Sequence, residues 1–219
     1  MDKQFKPIPV AIFTFLIAVL AVSGWIYFFH LRSPQIIESN YRWEPFFFEQ
    51  INRTTDLVEI TELRSVRLKA NDLEIRIWRF GIPLEGVVLR RVDNVWSATR
   101  IKTEGYEGPD KAELIDLSPP ESGWERFWQS VIAKGLLELP DASEINCRST
   151  VIDGMVYVVE VNQNNKYRTF MYGEGKCFEA ETIREIADLI GVEFDSADEE
   201  CTRTEWFACA KLKSNQYPK

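Results

Sequence analysis

The sequence LEIRIWR, residues 73–79, alternates apolar and polar side chains with a period of two. Successive side chains of a β-strand point to opposite faces of the sheet, so this period places Leu73, Ile75 and Ile77 on one face. The stretch therefore predicts a strand with one buried face.

The segments on either side repeat this alternation. Leu57–Ile60 and Val66–Lys69 precede the stretch, and Val87–Val92 and Val95–Ile101 follow it. The last two segments are joined by Asp93–Asn94, and both residue types tolerate the positive φ of a tight hairpin turn. Connections this short cannot cross over to form parallel pairs, so we expect an antiparallel meander.

A second hairpin is predicted from Met155–Val161 and Tyr167–Tyr172. Its turn is Asn164–Asn165, because asparagine can adopt the left-handed conformation that a two-residue turn requires. That register pairs Glu160 with Thr169 and Val161 with Arg168. The residues that then share one face are Met155, Tyr157, Val159, Phe170 and Tyr172.

A helix is predicted after a short strand over Ala112–Leu117. Ser118, Pro119, Pro120 and Glu121 form a helix-start signal, in which the serine caps free N–H groups and Glu121 takes the capping-box position. The apolar residues that follow have helical spacing: Trp124, Phe127, Trp128, Val131 and Ile132. Gly135 is expected to end the helix. The tryptophan pair could form a ligand shelf, but we favour packing against the sheet.

The last helix is predicted over Ala180–Ile190, with Gly191 as its stop. Its inward positions are Ile183, Ile186, Ala187 and Ile190. We therefore expect an α+β fold, in which two amphipathic helices pack on one face of an antiparallel sheet of hairpins. Its boundaries are expected at residues 57–219, as a single globular domain.

An apolar segment, IPVAIFTFLIAVLAVSGWIYFF, covers residues 8–29. Its 22 residues carry no charge, and a helix needs about 20 apolar residues to cross the hydrocarbon core of a bilayer. We interpret residues 8–30 as an uncleaved transmembrane anchor, because the aromatic residues at its end are typical of a membrane interface. The alternatives are a signal peptide cleaved after Ser23 and a buried helix of a soluble protein.

The anchor divides the rest of the chain into a tail, a connector and the domain. Residues 1–7 are expected to form a short cytoplasmic tail, and residues 31–56 a juxtamembrane connector. Within the connector, Trp43 and the run Phe46–Phe48 either lie at the lipid interface or dock on the domain. Lys3 and Lys6 nearly balance the arginines that follow the anchor, so charge alone barely sets the orientation. The short tail and the position of the cysteines favour an extracytoplasmic domain, which would be periplasmic in a Gram-negative cell.

The four cysteines, Cys147, Cys177, Cys201 and Cys209, all follow the apolar segment and lack CxxC spacing. In an oxidising compartment an even number predicts disulfides. Four cysteines allow three pairings, of which we favour Cys147–Cys177, flanking the second hairpin, and Cys201–Cys209, closing a short tail loop. Four reduced thiols in a cytosolic domain are the alternative.

The formal net charge is −8, and the part of the chain after residue 30 carries −9. An acidic domain repels phosphate groups, so nucleic acid is a poor partner and anionic lipid surfaces are repelled as well. The single histidine, His30, lies at the boundary of the apolar segment, so the domain cannot build a catalytic site that needs an imidazole. The sequence contains no nucleotide-binding or hydrolase motif, and we predict no cofactor and no metal.

One polar cluster on the second hairpin is the candidate site. Glu160 lies in an apolar strand, where burial would raise the pKa of its carboxyl, and Arg168 or a tyrosine hydroxyl could be its partner. The candidate residues, for either a functional or a structural role, are Asp153, Tyr157, Glu160, Arg168 and Tyr172.

The second hairpin also carries a resemblance. Residues 153–160, DGMVYVVE, and residues 167–172, YRTFMY, resemble a pattern of uncharacterised bacterial envelope and secreted proteins, and residues 78–80 and 84–91 are similar to the same group. The resemblance covers most of the domain and rests on hydrophobic pattern. It implies an α+β domain and brings no catalytic residue.

The expected function is therefore non-enzymatic binding or assembly at the envelope. The expected partners are the bilayer, through residues 8–30, and a protein at the membrane. Two alternatives stay open: a carboxylate-dependent envelope hydrolase, and a secreted inhibitor released by cleavage of the N-terminal segment.

Overall fold

The computed structural model describes residues 41–105, 108–145, 147 and 154–194, with residues 19, 20 and 23 and the backbone of residues 35–38. This part of the chain forms seven strands and three helices. The strands are β1 (Gln35–Glu38), β2 (Leu73–Phe80), β3 (Glu85–Val92), β4 (Val95–Glu104), β5 (Lys111–Asp116), β6 (Val156–Gln163) and β7 (Lys166–Gly173). The helices are α1 (Glu44–Leu57), α2 (Trp124–Ala133) and α3 (Phe178–Phe194), with a short 3₁₀ helix at Leu63–Ser65.

The strands form one sheet in the order β1-β7-β6-β2-β3-β4-β5. Strands β2 to β7 pair antiparallel with their neighbours, while β1 lies parallel to β7 at the edge of the sheet. The α+β class with an antiparallel sheet of hairpins is therefore confirmed. β2 pairs with both β3 and β6, so it joins the meander to the second hairpin at the middle of the sheet.

Both predicted hairpin turns are confirmed. Asp93 and Asn94 have φ values of 49° and 64°, and Asn164 and Asn165 have 53° and 63°. Positive φ at both central residues gives the turn a twist that matches the flanking strands. The register of the second hairpin is also as predicted, with Glu160 opposite Thr169.

One face of the sheet, here called the α2/α3 face, carries the main core. Strand residues Leu73, Ile75 and Ile77 pack there with Val159 and Phe170, as the alternation predicted. The helices contribute Phe127, Trp128 and Val131 from α2, and Ile183, Ile186 and Ile190 from α3. Met155, just before β6, lies at the edge of this face, where its sulfur accepts from Nη1 of Arg79 at 3.4 Å, and its side chain is exposed.

The opposite face, here called the α1 face, is covered as well. Phe48 and Ile51 of α1 pack on a second cluster that includes Trp78, Ile101 and Val158. The prediction that helices cover only one face is therefore incomplete. The reason is that β2 is buried on both sides, so its charged residues are enclosed rather than solvated.

The segment before β2 differs from the prediction. Leu57–Ile60 is not a strand: Leu57 ends α1, and the Val58 amide donates to the carbonyl of Thr54. Val66–Lys69 is not a strand either. The Val66 carbonyl accepts a hydrogen bond from the Asn162 side chain at 2.7 Å instead of from the backbone of a neighbouring strand. The predicted connector, residues 31–56, contains both β1 and most of α1, because its aromatic residues supply a core for the α1 face.

Two helices also begin or end at residues other than those predicted. Ser118 does not cap α2, which begins at Trp124 after Gly123. The Leu117 amide still donates to the Ala98 carbonyl at 2.9 Å, so the chain is extended there, and a following proline disfavours helical backbone at Ser118. Gly135, with φ of 78°, follows the end of α2 as predicted.

Gly191 does not stop α3, which continues to Phe194. The ring of Phe194 lies 5.1 Å from that of Phe127 and 5.6 Å from that of Trp124. This packing outweighs the cost of about 1 kcal/mol for a glycine inside a helix.

The disulfide Cys147–Cys177 is present, and it ties the segment before β6 to the start of α3. The predicted Cys201–Cys209 pair lies outside the described residues. So does the predicted anchor, apart from residues 19, 20 and 23. Among the helices that are described, none has both the length and the apolar composition needed to cross a bilayer.

Candidate functional site

The predicted polar cluster is divided between the two faces of the sheet. Tyr157, Arg168 and Tyr172 lie on the α2/α3 face, whereas Glu160 lies on the α1 face because its position differs by an odd number of residues from Tyr157. Asp153 lies outside the described residues. The hairpin therefore does not assemble these residues into one site.

The α2/α3 members of the cluster hold a loop. Arg168 donates to the carbonyls of Leu137 and Leu139, and the Tyr172 hydroxyl donates to the carbonyl of Pro140. Burial raises the pKa of Tyr172, so its hydroxyl stays a donor. These contacts fix the loop after α2 against β7, which is a structural role.

Glu160 is enclosed on the α1 face between two donors. The Trp78 indole N–H donates to its Oε2 at 2.7 Å, and the Tyr167 hydroxyl donates to its Oε1 at 3.0 Å. Burial raises the pKa of the Glu160 carboxyl, against the opposing effect of Arg76 on the neighbouring strand. The predicted rise in pKa is confirmed, and the partner is a tyrosine hydroxyl rather than Arg168.

A network of charged side chains lies next to Glu160 on the α1 face. Arg76 donates to Oε1 of Glu74 from Nε at 2.9 Å and from Nη2 at 2.7 Å, and it also donates to the Thr61 carbonyl. The other carboxylate oxygen of Glu74 lies 3.3 Å from Nε of Arg90. Glu74 and Arg76 also line a shallow groove of about 340 Å³. With both carboxylate oxygens of Glu74 engaged by guanidinium groups, this network orients side chains inside the sheet rather than presenting a proton-transfer group.

A second buried ion pair lies on the α2/α3 face. Nη2 of Arg79 is 3.1 Å from Oε2 of Glu85 on the neighbouring strand, and both side chains are buried. Burial lowers the pKa of Arg79, and it raises the pKa of Tyr157, the residue opposite Arg79, to about 12. The ion pair lies at the edge of the main core, beyond the last apolar residues that β2 and β3 contribute to it.

A groove lies between α1 and the β2–β3 turn and is here called the α1 groove. Its volume is about 410 Å³. Phe46 and Ile82 at its rim are 66% and 67% exposed. The Phe47 ring packs edge-on against Phe46 at 5.1 Å and against Phe80 at 4.6 Å, which fixes the aromatic wall.

Of the described residues that line the α1 groove, none carries a charged side chain. Its lining residues are Phe46, Phe47, Gln50, Phe80, Gly81, Ile82, Leu84, Thr103, Gly105, Gly108, Pro109, Gly154 and Val156. Apolar pockets with few polar groups are typical binding sites. The exposed side chains of Phe46 and Ile82 can bury apolar surface against a ligand, and Gln50 and Thr103 add polar groups to the lining.

Part of this groove was predictable from the sequence. The run Phe46–Phe48 left two options open, and the structure separates its members: Phe48 is buried on the sheet, whereas Phe46 is exposed. Trp43 docks on the domain, because its indole N–H donates to Asp141 at 3.1 Å. The sequence did not indicate that Ile82 lines a groove, because it is a single apolar residue between Gly81 and Pro83.

Among the described residues, no group of three or more His, Cys, Asp or Glu side chains is arranged to hold a metal ion. Comparison of the chain with family models, with curated proteins and with solved structures gives no match.

Proposed function

We propose that the chain is a single-pass envelope protein whose extracytoplasmic domain binds a protein partner through the α1 groove. The observation that carries this proposal is the groove itself, where two large apolar side chains, Phe46 and Ile82, are exposed at the rim of a concave surface. Exposed apolar surface of this kind is typical of interaction sites.

The groove offers enough apolar surface to contribute to affinity. Fully burying one phenylalanine or isoleucine side chain is worth about 1.5–3 kcal/mol, so the exposed two thirds of Phe46 and Ile82 would contribute about 1–2 kcal/mol each. Because Phe47 and Phe80 already fix the wall of the groove, little side-chain entropy is lost on binding.

The proposed compartment is supported by the disulfide. Cys147 and Cys177 are far apart in the sequence, and their pairing in the fold suits an oxidising environment such as the envelope. The apolar segment at residues 8–29 supplies the proposed anchor.

A carboxylate-dependent hydrolase is the weaker alternative. Such an enzyme needs two carboxyl groups facing a substrate cleft. Glu160 is enclosed by its two donors. Glu85, Glu104 and Glu113 line a cavity of about 480 Å³, but Glu85 is paired with Arg79 and Glu104 with Lys111. The described lining of the α1 groove includes no titratable side chain, which supports a binding role there.

The test is a crosslinking pull-down of the full chain from membranes of its native host, comparing single variants. We expect a reproducible protein partner whose recovery falls about tenfold in Phe46→Ser and in Ile82→Ser, since about 1.4 kcal/mol corresponds to a factor of ten. Phe178→Ser is the matched control, because Phe178 is 74% exposed and does not line the groove.

Equal recovery of the partner in all variants would contradict the role of the groove. Extraction of the intact protein by alkaline carbonate would contradict the anchor. Release of a shortened mature chain would instead support the secreted inhibitor.

A further inference from the structure

Three turns meet at the end of the sheet opposite the α1 groove. Asp72, just before β2, accepts from the Asp93 amide through Oδ1 at 3.0 Å and from the Lys69 amide through Oδ2 at 3.3 Å. Its carbonyl accepts from the Asn164 amide at 3.3 Å. Residues 67–72, 91–95 and 163–166 therefore form one cross-linked surface, here called the turn platform.

The turn platform is cationic on an otherwise acidic protein. It contains four basic residues, Arg67, Lys69, Arg91 and Lys166, and two acidic ones, Asp72 and Asp93. Its net charge of +2 contrasts with −9 for the whole chain after residue 30. The net charge of −9 predicted repulsion from anionic lipid. However, exposed charges are screened beyond about 10 Å, so the local charge of the turn platform decides whether this surface attracts anionic lipid.

An apolar side chain projects from the same surface. Val95, directly after the β3–β4 turn, is 71% exposed. The next residue, Trp96, is partly buried and packs under the Arg91 guanidinium at 5.2 Å. Basic residues and an exposed apolar side chain at the same end of the sheet, with an indole ring beside them, are features that suit the interface of a membrane.

The chain itself brings the turn platform towards the proposed anchor. Gln35, the first residue of β1, lies beside Lys166 on the neighbouring strand, at a spacing of about 4.8 Å. Phe29, the last residue of the apolar segment, is six residues before Gln35, and six residues span at most about 20 Å. If residues 8–29 cross the bilayer, this end of the sheet is held close to the lipid headgroups.

We infer that the turn platform docks on the headgroup surface of a bilayer that contains anionic phospholipid. This inference rests on the proposed anchor. It orients the domain, because the eight residues of β2 separate the platform from the α1 groove by about 25 Å. The groove then faces away from the membrane, where a protein partner can reach it.

The experiment uses the full chain in vesicles of phosphatidylcholine, with or without an equal part of phosphatidylglycerol. A photoreactive p-benzoylphenylalanine replaces Val95 in one protein and Phe46 in another. We expect lipid adducts at position 95, enriched by phosphatidylglycerol, and few at position 46. Lys166→Gln with Arg67→Gln should lower the ratio of docked to free domain about 25-fold, since each cation near an anionic surface is worth about fivefold.

The matched control is Arg53→Gln with Lys111→Gln, which removes two exposed cations on surfaces remote from the platform and should leave the adducts unchanged. Equal lipid adducts at positions 95 and 46, adducts that do not respond to phosphatidylglycerol, or adducts only to protein would overturn docking. Carbonate extraction of the same vesicles separates the two failures. An extracted chain refutes the anchor and the docking with it, whereas a retained chain without adducts at position 95 refutes docking alone.

Discussion

Replacing Glu160 with leucine should lower the free energy of unfolding by about 2.5 kcal/mol, because two buried donors lose their acceptor. Trp78 and Tyr167 are fully buried, so water cannot replace the carboxyl. Each unsatisfied donor costs about 1–3 kcal/mol, and the leucine returns about 1–2 kcal/mol through apolar burial. Arg76 keeps its contacts with Glu74 in the variant.

Glu160→Gln separates the hydrogen bonds from the ionisation. The folded pKa of Glu160 is raised above the ordinary value of 4.5, so between these two values the native state holds a proton that the unfolded chain has released. The contribution of Glu160 to stability is therefore greatest below about pH 4.5 and falls as pH rises towards its folded pKa, by up to about 1.4 kcal/mol per pH unit. Glutamine does not titrate and lacks this fall.

The assay is denaturant unfolding of the full chain in mild detergent, followed by tryptophan fluorescence, at about pH 5 and about pH 8. We expect the wild type to exceed Glu160→Gln in stability most at the lower pH, and the difference to shrink at the higher pH. Tyr167→Phe is the control: it keeps the carboxyl and removes a hydrogen bond that lowers the pKa of Glu160, so its pH dependence should persist and extend upwards. A difference between wild type and Glu160→Gln that is constant with pH, or larger at high pH, would refute the reasoning.

Three further predictions concern other parts of the domain. Replacing Cys147 and Cys177 together with serine should lower the free energy of unfolding by about 3.7 kcal/mol, the chain-entropy value for a separation of 30 residues, and unfolding with and without reductant checks it. Gly86→Ala should cost about 1–3 kcal/mol, because its Cβ would lie 2.7 Å from an indole ring, while Gly81→Ala, whose nearest neighbour is at 3.8 Å, should stay within about 0.5 kcal/mol in thermal unfolding. Asp72→Ala should lower stability by about 2 kcal/mol and speed amide exchange in the turns it joins.

The hairpins were predictable because their signals are local. Asn164 and Asn165 supply the positive φ values of the turn, and the period of two then fixes which residues share a face. The same parity rule places Glu160 opposite the face of Tyr157 and Arg168, so the alternation itself divides the predicted cluster. Grouping these residues by distance in the sequence overlooked that rule.

The second covered face was not predictable from alternation. Glu74 and Arg76 occupy the polar positions of β2 and indicate a solvated face, yet they neutralise each other and are enclosed beside α1. The buried positions of α1 have helical spacing, but three of them are the polar residues Glu44, Thr54 and Thr55, so the sequence shows no apolar period. The α1 groove depends on this tertiary arrangement, so only its aromatic wall, formed by α1, was indicated by the sequence.

The pairing of β1 with β7 has a consequence for synthesis. Gln35 leaves the ribosome 131 residues before its partner Lys166, which at about 5–20 residues per second is a delay of roughly 7–26 s. During that time the first strand has no ladder to join, while the β2–β3–β4 meander can already fold from local contacts. The sheet edge is therefore completed late in translation, before α3 adds the last part of the main core, and a chain truncated before residue 166 would expose an unpaired strand edge to aggregation.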